Sequence, residues 1–125
     1  MSDLIRIELP WPDARLNPNK SKGMHWGSTS TLRKKARESA FWLTVSAMRT
    51  AGIGIVNSKA IAIPLTITFV QPDKRGRDRD NLLAALKPQI DGVADGIGAN
   101  DCQFDPITIK REYGRKPGAV IVEIG

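Results

Sequence analysis

From Thr31 to Ala51 the chain contains neither Gly nor Pro, and this uninterrupted stretch lies between two segments that alternate apolar and polar residues. The first has period 3.6 and the others period 2, so the chain reads as a mixture of helix and strand. Within the helical stretch Phe41, Val45 and Met48 follow helical spacing, and Gly52 can supply a left-handed C-terminal cap. Before it, Leu4 to Leu9 places Ile5, Ile7 and Leu9 on one side of a strand and Arg6 and Glu8 on the other, with Pro10 and Pro12 as stops. Trp11 to Gly27 reads as a long loop, rich in Pro, Asn, Lys, Ser and Gly.

The second half repeats the alternation. Ile61 to Val70 reads as a strand beginning beyond Pro64, and polar turn residues run from Gln71 to Arg77. Asp78 or Asp80 can cap a second helix that carries Ala84, Ala85 and Leu86, is kinked at Pro88, and closes at Gly92, Gly96 and Gly98. Pro106 to Arg111 and Ala119 to Ile124 alternate as two further strands, and Gly114 to Gly118 between them has hairpin chemistry. The order β-α-β-α-β-β predicts an α+β (or α/β) domain with one mixed sheet flanked by helices. At 125 residues and 41% apolar content the chain is one domain, able to build a core without staples.

Composition removes several classes. A single cysteine, Cys102, excludes an intramolecular disulfide, and with one histidine, His25, there are too few soft ligands for a Cys/His zinc site. No stretch approaches eighteen apolar residues and the first residues lack a basic leader, so a cytoplasmic protein with no membrane partner is expected. No nucleophile elbow or Walker loop is present, and Asp101 beside Cys102 disfavours a reactive thiolate.

Charge is unevenly spread. The net charge is +6, yet seven of the thirteen acids, all aspartates, fall between Asp73 and Asp105. An acidic focus in a basic frame suits a metal-dependent enzyme acting on nucleic-acid phosphates, and equally a solvated acidic helix on a basic protein. The most specific local pattern is Asp78-Arg79-Asp80-Asn81 between a strand and a helix. In an extended segment Asp78 and Asp80 share one side, where hard carboxylate oxygens suit Mg²⁺ or Mn²⁺; the other reading makes one a helix cap and the other a solvated charge. Asp101 supplies a third carboxylate, or a turn aspartate. Lys87 lies seven residues after Asp80 on the same helix face, where it could stabilise a scissile phosphate or form a salt bridge to Asp91. The cations expected to meet DNA are Lys20 and Lys22 in the loop, Arg33, Lys34, Lys35 and Arg37 at the start of the main helix, and Arg75 and Arg77 before the acid block.

With Leu9-Pro10-Trp11-Pro12, Asn17, His25-Trp26, the Asp78-Arg79-Asp80-Asn81 block, Leu86-Lys87-Pro88, Asp91-Gly92-Val93-Ala94-Asp95 and Asn100-Asp101-Cys102-Gln103, the chain resembles the RusA family of Holliday junction resolvases over nearly its whole length. The resemblance implies a homodimeric, Mg²⁺-dependent endodeoxyribonuclease that resolves four-way junctions in DNA recombination and repair. By position Asp78, Asp80 and Asp101 match the metal-binding aspartates. Many members carry a lysine four residues after the second aspartate, where this chain has Ala84; Lys87 looks like its substitute one turn on. Asn100 stands where members often have the first aspartate of a pair. Two other functions fit the residues: a non-catalytic basic DNA-binding module in which the aspartates cap and pair with arginines, and a metal-dependent nuclease of flaps or forks. Trp42 and Ile121 are candidate dimer contacts.

Overall fold

The computed structural model describes residues 5–17, 26–54 and 62–125, so the expectations placed on Lys20, Lys22 and His25 lie outside the described residues. Among the described residues four strands and two helices follow the expected order: β1 (Ile5–Pro10), α1 (Trp26–Ala51), β2 (Ile63–Val70), α2 (Arg79–Ile97), β3 (Phe104–Glu112) and β4 (Ala119–Ile124). Single 3-10 turns, Ala14–Leu16 and Asp101–Gln103, precede α1 and β3. The result is one α+β domain built on one mixed sheet.

The pairing differs from the hairpin expected at the C-terminal end. Sheet order is β1-β4-β2-β3, with β4 antiparallel to both β1 and β2, and β3 parallel to β2. Gly114 to Gly118 therefore carries the chain past β2 instead of folding β4 back on β3. The reason lies in burial: Val120 and Val122 are fully buried on the helix side and Ala119 and Ile121 are buried on the other, so β4 fits a central position. Strand β3, mostly exposed after Phe104, fits an edge.

Both helices cover the same face. Ile5, Ile7 and Leu9 of β1, Leu65, Ile67 and Phe69 of β2, and Val120, Val122 and Ile124 of β4 form one core with Ala40, Met48, Leu82, Leu86, Ile90 and Val93. Helix α1 starts at Trp26, five residues before the stretch read as helical, because Gly27 lies inside its first turn. Its buried stripe runs through Ala40, Thr44 and Met48, one residue round from Phe41 and Val45, which are half-buried. Small residues line that stripe because α2 crosses very closely. A Cβ added to Gly92 would lie 2.2 Å from the Arg37 carbonyl oxygen, and one added to Gly96 would lie 2.6 Å from Thr44 Cβ. These two glycines thus sit within α2 as a crossing point, and Gly98 alone ends it, at φ 78°. The helix continues through the buried Pro88. Among the described residues no helix is long and apolar enough to cross a membrane.

Candidate active site and basic cleft

The turn that presents the acid block is held from within. Gln71, fully buried at the end of β2, donates from Nε2 to the Arg75 carbonyl at 2.9 Å. Asp73 accepts from the Arg75 N–H at 2.9 Å and from Arg77 Nη1 at 2.9 Å, and the Arg77 guanidinium lies 5.5 Å from the centre of the Trp11 ring. Hydrogen bonding to Arg77 holds the Asp73 carboxyl below its ordinary value. The Arg111 guanidinium also donates to the Arg77 carbonyl, at 3.0 Å. Arg77 is therefore an organiser of this turn, with a side chain 19% exposed, while Arg75 projects to solvent.

Asp78, not Asp80, is the cap of α2: its carboxylate accepts from the Asp80 N–H at 2.8 Å. Asp80 stands exposed in the first turn. Below it on the same stripe come Ala84, Lys87, Asp91 and Asp95, spaced four, three, four and four residues apart. Lys87 donates to Asp91 at 2.6 Å, which is the i+4 bridge the sequence suggests, and also to Asp101 from the turn before β3. Burial alone would lower the Lys87 ammonium, but its hydrogen bonds to Asp101 and Asp91 hold it above its ordinary value. The bond from Lys87 likewise holds the Asp101 carboxyl below the ordinary range.

Asp101 therefore joins Lys87 and Asp91, and the structure does not bring it to Asp78 and Asp80. The cause is the parallel crossover. Because β2 and β3 run the same way, the start of α2 adjoins the end of β2, whereas Asp101 precedes β3 at the opposite end of the sheet. Asp80 and Asp91 are eleven residues apart on α2, about 16 Å along its axis at 1.5 Å per residue. Among the described residues no group of three or more His, Cys, Asp or Glu side chains could hold a metal ion. The Asp78, Asp80 and Asp101 set thus does not fit a single ion in this arrangement. Asp91, which the sequence offers only as a salt-bridge partner, is the carboxylate that shares a cation with Asp101.

Beside this cluster lies a cleft of about 460 Å³ between the helices, lined by Arg33, Lys34 and Arg37 from α1 and by Ala84, Lys87, Pro88 and Asp91 from α2. Arg37 makes a two-pronged pair with Asp95, 2.6 and 3.0 Å, and Arg33 donates to the Thr29 hydroxyl at 3.1 Å. Lys35 points elsewhere, into a smaller depression with Trp11, Leu32 and Gln89. Three of the four expected α1 cations therefore meet Lys87 across one opening.

Fold and site together define a small α+β domain with a carboxylate and lysine cluster on the wall of a basic interhelical cleft. No family model matches the chain. It is 34% identical over 118 residues to an uncharacterized protein of Xylella fastidiosa (strain Temecula1 / ATCC 700964), a match covering 94% of this chain and 74% of that protein. The chain belongs to the family of that Xylella protein.

Proposed function

We propose that the chain is an endodeoxyribonuclease acting on branched DNA, Mg²⁺-dependent and working in the cytoplasm as a homodimer, as the residues it shares with the RusA resolvases imply. The observation that carries the reading is the cleft in which Arg33, Lys34 and Arg37 face Lys87. Such a row of cations can seat successive phosphates of a DNA strand. Lys87, with two carboxylates at its ammonium, is then positioned to meet the phosphate that enters deepest. Asp91 and Asp101 fix that ammonium and keep it charged, so it can offset the negative charge that builds on phosphate during cleavage.

The test is incubation of the purified protein with a labelled synthetic four-way junction, with Mg²⁺, with Mn²⁺ or with EDTA. Paired symmetric cuts that depend on the metal and vanish in Lys87→Ala and in Asp101→Asn support the reading. Cuts on flaps and forks but not on junctions would move the substrate to those structures. A second reading, a non-catalytic DNA-binding module, gains from the pairing of Asp73 with Arg77 and Asp95 with Arg37 and from the capping role of Asp78. Tight junction binding without cleavage under any metal would make it the better account.

A further inference from the structure

Among the described residues β3 closes one edge of the sheet, and it is nine residues long with an apolar side chain, Ile107, 45% exposed. A long exposed edge is a template for another strand unless something covers it. One bond fixes which backbone groups are free. The Gln71 N–H donates to the Glu112 carbonyl at 2.8 Å, so Glu112 turns its backbone towards β2. Alternate residues of a strand face opposite ways, so Thr108 and Lys110 also serve β2, while Ile107, Ile109 and Arg111 turn their N–H and C=O groups outward. We infer that this edge pairs with the same edge of a second copy of the chain, antiparallel, about a two-fold axis at Thr108.

Chemistry selects both the occupant and the register. With the axis at Thr108, Ile107 comes opposite the partner's Ile109 on both sides of the axis and Thr108 meets its own copy, all within the regular stretch of β3 that follows the register shift near its start. Apolar pairs and threonine pairs are cross-strand combinations that stabilise antiparallel sheets. The outward residues Ile107 and Ile109 form the hydrogen-bonded pairs. Sliding the axis to Ile109 sets Arg111 against Ile107, and sliding it to Lys110 sets that lysine against itself. The segment is complementary to itself in one register, which favours a second copy over an unrelated strand. Two four-stranded sheets would join into one of eight, and an isologous contact of this kind closes as a dimer. The inference deepens the two-fold assembly of the proposed function and rests on that reading for its purpose, not for its geometry.

Site-directed cross-linking tests it without DNA. In a Cys102→Ser background, Thr108→Cys places two sulfur-bearing residues in a non-hydrogen-bonded antiparallel pair, with Cα atoms about 4.5 Å apart, within disulfide reach. Mild oxidation of the full chain is expected to give a dimer band on non-reducing gels for Thr108→Cys, and little or none for Ile109→Cys or Lys110→Cys, whose copies lie farther apart. Sedimentation of Ile107→Lys, checked for folding by circular dichroism, is expected to show a dimer dissociation constant raised roughly tenfold or more, since each dimer carries the change twice. Trp42→Lys, which alters an exposed apolar residue of α1, should leave the dimer intact. A Thr108→Cys chain that stays monomeric, cross-linking that is equal at all three positions, or a dimer dissolved by Trp42→Lys and not by Ile107→Lys overturns the inference. Cleavage that persists while cross-linking fails removes the edge pairing and leaves the nuclease reading, and the reverse result does the opposite.

Discussion

Gly92 shows how much a single absent methyl group can decide. Ala40 and the Arg37 carbonyl occupy the space where its Cβ would stand, so neither backbone can give way without moving a whole helix. Gly92→Ala is expected to cost roughly 2–3 kcal/mol by chemical denaturation, at the upper end of overpacking effects. Gly76→Ala, with nothing within 4 Å, should stay within about 0.5 kcal/mol of the parent. Asp73 offers a test of a different kind. Its folded pKa lies below the ordinary 3.8 because Arg77 bonds to the carboxylate, so the ionised form contributes stability above that ordinary value, and the contribution is lost as pH falls through the folded one. The difference in urea midpoint between the parent and Asp73→Asn should be constant above about pH 5 and shrink on acidification below 3.8. A gap that persists undiminished in strong acid would show that the pairing with Arg77 is not its source.

Elements, rather than residues, decide how the basic surface is divided. Helix α1 sends Arg33, Lys34 and Arg37 to the interhelical cleft and Lys35 to the opposite depression. Replacing Arg33 and Lys34 together by Gln should reduce the dependence of junction binding on log salt by about two, roughly one for each phosphate that no longer meets a cation. Lys35→Gln should leave that slope unchanged, and an equal fall in both variants would assign the whole helix start to a diffuse field. Period-two alternation made β1 and β4 legible in the sequence, and the Asp78 to Asn81 pattern marked the start of α2. The α1 stripe was harder to read because its buried members Ala40 and Thr44 are small or polar, whereas the larger apolar side chains, Phe41 and Val45, lie one residue round the helix. Lys87 and its i+4 partner Asp91 were readable as neighbours on one helix. The arrival of Asp101 at the same ammonium was not, since it depends on the parallel pairing of β2 with β3, a contact between segments that no local pattern reports.

At the scale of the molecule, strand order matters more than strand content. Strand β1 is paired only with β4 among the described residues, and β2 is held on one side by β4 and on the other by the edge strand β3. Removing residues 119–125 would strip β1 of its partner and expose Phe69 and Ile67 along a new edge. Such a truncation is expected to lack the cooperative thermal transition expected of the full chain by circular dichroism, whereas deleting only Gly125 should preserve it. A truncated chain that still melts cooperatively would mean that the helices and β2 form a core without β4.

The placement of β4 between β1 and β2 also bears on how the protein is made. Translation delivers β1 first and β4 after more than a hundred residues, yet the two are neighbours. During synthesis β1 and the growing helices must therefore wait, with the apolar side of the sheet unfinished, until residues 119–124 have left the ribosome. Completion of the sheet is therefore expected to await β4, and a nascent chain stalled before Ala119 is expected to be the form most in need of a chaperone.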